Sequence, residues 1–232
     1  MGSDAPSAAR ASYQPATSFP VGDFLPNGTH TDPPPDPATS GFKLNHFMLR
    51  IRDPSRSLPF YIDLLGMRTV FTMNTGPFTI YYLGYPQTEN HATDLATFGQ
   101  DTCAQLQHTL GLLELYHVHG SETQPENYYE TGNRPPALGF GHLGFTVPDV
   151  PAALRRLRAA GVPVVKELGK GTTTRRAIPL SEEEEKSGVG LGELHEGYAA
   201  VFDNIAFVSD PDGYLVELVP QKMDPLAPGA PE

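Results

Sequence analysis

The stretch Gly139-Phe140-Gly141-His142-Leu143-Gly144-Phe145-Thr146-Val147-Pro148-Asp149 is built on the plan of an earlier one, Asn45-His46-Phe47-Met48-Leu49-Arg50-Ile51-Arg52-Asp53. In each, a His opens an alternating run and an Asp follows seven residues later. A Leu stands five residues after the Asp, at Leu58 and Leu154, and a Gly lies a turn or two beyond, at Gly66 and Gly161. Each half closes on a Glu between apolar neighbours, Leu113-Glu114-Leu115 and Val216-Glu217-Leu218. An internal repeat governs everything read after it. The chain therefore reads as two copies of one module, each bringing one His near its start and one Glu near its end. Two such sets predict one metal site at a pseudo-twofold axis.

Working outward, the repeat divides the chain. Residues 1–40 are rich in Pro, Ser, Ala and Gly and bury little, so they form an extended or disordered arm. Either the arm is a solvated tail or it wraps a partner subunit, with Phe19, Phe24 and Leu25 as anchors. The first module spans 41–120, a linker 121–138, and the second module 139–222 with an insertion over 167–200; a tail follows over 223–232. With 27 Asp plus Glu against 16 Lys plus Arg, the formal net charge is -11, which excludes a nucleic-acid partner. No apolar run approaches the roughly 20 residues of a membrane span, and the polar N-terminus lacks a signal-peptide core. Cys103 is the only cysteine, so no intrachain disulfide forms and a reducing, cytoplasmic setting fits.

Each module reads β-α-β-β-β. Residues 44–51 alternate as a half-buried strand does, with Phe47, Leu49 and Ile51 toward a helix and His46, Met48 and Arg50 toward the open face. Asp53-Pro54-Ser55 signals a helix start and Gly66 a stop, although Pro59 is awkward in a helix interior and moves the expected start to Ser55 or Ser57. Strands follow over 67–73, 78–84 and 110–118, with a polar loop over 86–105. In the second module Leu143, Phe145 and Val147 face a helix over 151–160 capped by Asp149, while His142, Gly144 and Thr146 face the opening. A short strand over 162–166 precedes the insertion, which is either a solvated excursion or a lid; Ser181 before four Glu residues starts a short helix in it. Strands over 201–208 and 214–219 complete the module, joined by the tight turn Asp210-Pro211-Asp212-Gly213.

A charged Glu inside an apolar strand costs several kcal/mol unless it is paired or bound to metal. Strand alternation sets Glu114 and Glu217 on the face of their module's His. Two imidazoles and two carboxylates without a thiolate suit a borderline divalent ion, zinc, nickel or cobalt, one per site. With an open coordination position such an ion supports proton chemistry next to a carbonyl.

These residues resemble glyoxalase I of the vicinal-oxygen-chelate superfamily, from about residue 42 to residue 220. The likeness is carried by His46 through Pro54, Ser57-Leu58-Pro59-Phe60-Tyr61 with Leu65-Gly66-Met67, Leu113-Glu114-Leu115, Gly139 through Gly144, and Asp210-Pro211-Asp212-Gly213-Tyr214 through Leu218. The resemblance implies an α+β fold of two βαβββ modules forming a cupped mixed sheet, a homodimer with sites across its interface, and metal ligands at His46, Glu114, His142 and Glu217. It implies a lyase that isomerises the hemithioacetal of methylglyoxal and glutathione to lactoylglutathione through a metal-stabilised enediolate. By family position Glu217 is the base, Glu114 assists from the other face, and Arg50 belongs to the glutathione clamp. Other clamp positions depart: Val118 stands where the family has Asn, Leu138 where it often has Arg, and no basic residue precedes the strand at Asp203. Lys166, Lys170, Arg175 or Arg176 are the cations available to substitute. Two further readings stay open on the same residues: a glyoxalase-like lyase, isomerase or cyclase acting on a substrate without glutathione, and a non-catalytic small-molecule binder of the same fold.

Overall fold

The computed structural model describes residues 20–26, 32, 34–169 and 177–222. The first module contains β1 (His46–Ile51), α1 (Pro54–Pro59), β2 (Arg68–Asn74), β3 (Phe78–Gly84), α2 (Glu89–Thr93), α3 (Leu95–Ala104) and β4 (Leu112–Val118). A two-strand hairpin, β5 (Asn133–Arg134) with β6 (Ala137–Leu138), leads into the second module. That module contains β7 (Leu143–Val147), α4 (Val150–Ala159), β8 (Val164–Lys166), α5 (Glu182–Lys186), α6 (Glu196–Asp203), β9 (Ala206–Ser209) and β10 (Leu215–Pro220). The two sheets share one strand order, β1-β4-β3-β2 and β7-β10-β9-β8, and in each the first and last strands of the module pair in parallel.

Local chemistry sets the element ends. Asp53 accepts from the Ser55 N–H at 2.8 Å, so α1 starts at Pro54, earlier than expected. Pro59 closes this α-helical segment. Because Pro cannot donate to the turn before it, the chain passes into a π turn over Phe60–Leu64, where Leu65 N–H donates to Phe60 O at 3.0 Å. Gly66, at φ +81, ends it. Asp149 caps α4 through the Ala152 N–H, and Ser181 with Glu184 forms a capping box on α5.

Three expectations fail here. The segment 86–105 is two helices rather than a loop: Thr88 caps α2, Asp94 caps α3 through the Ala96 and Thr97 N–H groups, and Phe98 drives the packing by full burial. The segment 201–208 is not one strand, because α6 runs to Asp203 and β9 begins only at Ala206. Phe47 is 48 % exposed rather than packed on a helix, although Leu49 and Ile51 on the same face of this edge strand are buried. With Leu65, Met67, Tyr85 and Phe145 it lines an apolar groove of about 900 Å³ between the modules.

One core serves both modules. Leu49, Ile51, Phe60, Tyr61, Leu113 and Leu115 pack in a single cluster with Leu143, Leu154, Leu157, Val208, Val216 and Leu218. Each sheet also carries a smaller cluster on its other face: Phe98 of α3 over Val70, Ile80, Tyr82 and Leu112, and Val201 and Phe202 of α6 over Ile205, Phe207 and Leu215. The arm meets α6 as well. Tyr198 donates to Gly22 O at 3.0 Å, and a Cβ on Gly22 would sit 2.6 Å from His195 Nε2. Phe24 and Leu25 of the arm are exposed; Phe19 and most of the arm, residues 170–176 and the tail lie outside the described residues. No helix among the described residues is long and apolar enough to cross a membrane.

The turn before β10 latches the modules. Tyr61, fully buried, donates to Asp210 Oδ2 at 2.8 Å, while Asp212 accepts from Arg52 N at 2.8 Å and from Ser57 Oγ at 2.8 Å. Burial pushes the Asp210 carboxyl up to about 7, against the hydrogen bonds from Tyr61, Tyr214 and Asp212 that hold it down. The folded value lies above the ordinary 3.8, so the stability this group contributes is complete below about 4 and is lost as pH rises through about 7. Unfolding free energies from urea titrations between pH 5 and pH 7 should fall by about 1 kcal/mol per pH unit through this carboxyl. Asp210→Asn should flatten that slope; an equal slope in both proteins contradicts the assignment.

Candidate functional site

The register places each His and Glu of a module on the sheet face away from the shared core. Met48 pairs with Glu114 and Gly144 with Glu217, so His46 and Arg50 share the face of Glu114, and Gly144 that of Glu217. His46 Nε2 lies 3.3 Å from Glu114 Oε2, and His142 Nε2 lies 3.3 Å from Glu217 Oε2. The two pairs match in environment. The carboxylates are 14 % and 17 % exposed and the imidazoles 39 % and 38 %. A ring packs edge-on against each imidazole from the residue paired with each Glu: Tyr82 on His46 at 5.4 Å between centroids, Phe207 on His142 at 5.2 Å. Burial, then the Glu114 charge, pushes the Tyr82 phenol up to about 12, so it stays neutral.

The donor set fits half of a metal site in each module. Asn45 fixes the His46 tautomer. Its amide nitrogen donates to Leu106 O and Thr109 O at 2.7 and 2.9 Å, which turns its Oδ1 toward His46 Nδ1 at 2.9 Å. A neutral imidazole must then carry its proton on Nδ1, leaving the Nε2 lone pair beside a carboxylate oxygen. Two electron-pair donors at that distance repel unless a cation joins them, and orienting a ligand His through its other nitrogen is the usual support of a metal site. Asn45 was not anticipated from the sequence as a functional residue, although its place directly before His46 was visible. Tyr82 and Phe207 carried no sequence signal beyond their aromatic type.

The expectation of four ligands gathered at one axis is not met within one chain. Among the described residues no group of three or more His, Cys, Asp or Glu side chains comes together to hold an ion. The shared core draws side chains from one face of each sheet and from the helices that cover it, and the two His–Glu pairs lie on the opposite faces.

The carboxylates are not equivalent. The neighbour of Glu114 on the edge strand is Met48, whereas that of Glu217 is Gly144, where a Cβ would come within 3.4 Å of Glu217 Oε2. Glu217 therefore has no side chain beside it at the edge-strand position that Met48 fills next to Glu114. Arg50 is exposed, stands beside Tyr116 across the β1–β4 pair, and makes no side-chain hydrogen bond or ion pair among the described residues. Val118 ends β4 on the same face, and Leu138 lies in the β5–β6 hairpin. Lys166 does not replace a missing clamp cation. Its ammonium is 8 % exposed by residue and donates to Ile205 O at 2.6 Å, Phe202 O at 2.8 Å and Glu167 O at 3.3 Å. Burial lowers its pKa while Asp203 and Glu217 raise it. Lys170, Arg175 and Arg176 lie outside the described residues.

The Glyoxalase/Bleomycin resistance protein/Dioxygenase superfamily model matches residues 43–218. A lactoylglutathione lyase of Pseudomonas aeruginosa is 36% identical over 192 residues, covering 80% of this chain and 86% of the relative. One from Pseudomonas putida is 34% identical over 189 residues, covering 79% and 88%. Among solved structures, the trypanothione-dependent glyoxalase I of Leishmania major aligns with a TM-score of 0.47 at 23% identity, over 78% of this chain and 87% of that one. With the superfamily model matching most of the chain and the two Pseudomonas relatives each more than 30% identical over most of it, the chain belongs to the glyoxalase I family of lyases within the Glyoxalase/Bleomycin resistance protein/Dioxygenase superfamily.

Proposed function

We propose that this chain is a metal-dependent glyoxalase I that isomerises the hemithioacetal of a 2-oxoaldehyde, methylglyoxal, and glutathione to lactoylglutathione. The observation that carries the reading is the duplicated His–Glu pair, built identically in both modules at 3.3 Å with a ring against each imidazole. His46 and Glu114 from one copy would hold a zinc, nickel or cobalt ion together with His142 and Glu217 from a second copy, in a cytoplasmic homodimer. Placement of the two pairs on outward faces, and the apolar groove beside the edge strands, support pairing between copies. When bound, the ion supplies positive charge that favours ionisation of the substrate next to its carbonyl.

The protein residues carry the proton chemistry. Glu217 takes the proton from C1 of the hemithioacetal and returns it to the adjacent carbon, a transfer without net oxidation or reduction. Its mostly buried carboxylate and the opening at Gly144 suit it to reach a bound substrate. Glu114, hemmed by Met48, ligates and assists from the opposite face. Arg50 meets a carboxylate of the thiol through its unengaged guanidinium. The occupation of Lys166 by backbone carbonyls, with Val118 and Leu138 at clamp positions, favours a second reading in which the same metal chemistry serves a substrate other than a glutathione adduct.

Thioester absorbance with methylglyoxal and glutathione tests the choice. Activity should disappear with chelator and return with zinc or nickel; metal-replete protein that forms no thioester favours the second reading. Glu217→Gln should lower kcat by about 10²- to 10⁴-fold while leaving the far-ultraviolet circular dichroism unchanged. Full activity in that variant removes Glu217 from the role of base. Asn45→Ala, read by metal titration, should weaken binding about 10- to 100-fold by freeing the His46 ring. Sedimentation should give a dimer, and a monomer that retains full metal affinity would refute the crossed site.

A further inference from the structure

Lys166 is a buried cation that the proposed reaction does not use. It sits on β8, paired with Phe207, which in turn pairs with Glu217, so the three residues cross the second sheet in one row. Its ammonium reaches over the end of α6. Phe202 O belongs to the last turn of that helix, where it also accepts from the Ile205 N–H at 3.3 Å, and Ile205 O lies just past the helix cap Asn204. A cation at a helix C-terminus also meets the negative end of the helix dipole. Gly169 N–H donates to Asp203 O at 3.0 Å and completes the closure. Held this way, α6 lays Val201 and Phe202 against Ile205, Phe207 and Leu215, and Phe207 bears edge-on upon His142.

We propose that Lys166 is a positioning residue of the site: it ties the C-terminal turn of α6 to the sheet and so fixes the Phe207 ring that sets His142 beside Glu217. The proposal rests on the reading of that pair as half of the metal site. In the first module Phe98 of α3 packs in the cluster of Tyr82, the ring that bears on His46, so each half carries a helix on its site face. Only the second has its helix end tied by a buried ammonium among the described residues. The second-module pair thus depends on one side chain from a strand that contributes no ligand.

The test uses the full-length chain loaded with nickel and compares Lys166→Met, Lys166→Arg and Phe202→Ala with the unaltered protein. Lys166→Met should raise KM for the methylglyoxal–glutathione hemithioacetal about tenfold, with a smaller fall in kcat. Nickel affinity should weaken about tenfold, and amides of 196–205 should exchange about tenfold faster or more. Lys166→Arg, which keeps the charge and the donors, should restore all three toward the unaltered values. Phe202→Ala should reproduce the KM and nickel effects with Lys166 intact, and it decides the matter if Lys166→Met does not fold. Unchanged exchange in Lys166→Met, or faster exchange with unchanged KM and nickel affinity, overturns the proposal. Hydrogen exchange needs neither metal nor turnover, so an unaltered protein that fails to make thioester defeats the glyoxalase reading and leaves this decision standing.

Discussion

Two carboxylates that cross from one module to the other decide how the molecule is assembled. Asp210 and Asp212 leave the second module and take the Tyr61 hydroxyl, the Arg52 amide and the Ser57 hydroxyl of the first. Tyr214, in the same turn, donates to Arg50 O at 3.1 Å. Buried polar groups tolerate little misalignment, because each lost partner leaves a desolvated atom. The turn therefore fixes where β10 begins, and β10 fixes the height of Glu217 two residues later. The other end of β1, where His46 stands, is set by the same contacts with Arg50 and Arg52. Site geometry in both modules is in this sense downstream of one turn.

Much of this was legible in the sequence because the chain repeats itself. The alternation from His46 to Ile51, the caps at Asp53 and Asp149, the stops at Gly66 and Gly161 and the two strand Glu residues are local signals with short physical causes, and the sheets follow them. What stayed hidden depended on distant contacts. Nothing local in residues 86–105 announces that Phe98 will find an apolar face to cover, although Thr88 and Asp94 were cap residues in plain view. Phe47 has the alternation of a core residue, yet the sequence does not say that its strand lies at an edge. Lys166 looked like a free cation; only the folded chain brings the end of α6 within reach of its ammonium.

The site combines symmetry and departure from it. Symmetry supplies the two His–Glu pairs with the same spacing and the same edge-on ring. Departure enters at the neighbouring strand, where Met48 in one module corresponds to Gly144 in the other, and at the helix end that Lys166 ties. A donor set wants equivalence, whereas a directed proton transfer wants one carboxylate more accessible than its twin. Small differences beside equivalent ligands satisfy both demands without disturbing the ligand positions.

The shared core has an implication for ancestry. Leu49, Ile51 and Leu115 from one half share one buried cluster with Leu154, Leu157 and Leu218 from the other. A chain of half this length would present that apolar face to water until it met a copy of itself. The present protein is thus a tethered version of such an encounter: joining the halves replaces a concentration-dependent association by an intramolecular one. Once joined, the halves were free to diverge, since a change in one no longer had to appear in its mate. Met48 and Gly144, at equivalent positions of the two halves, differ in the way such independence permits.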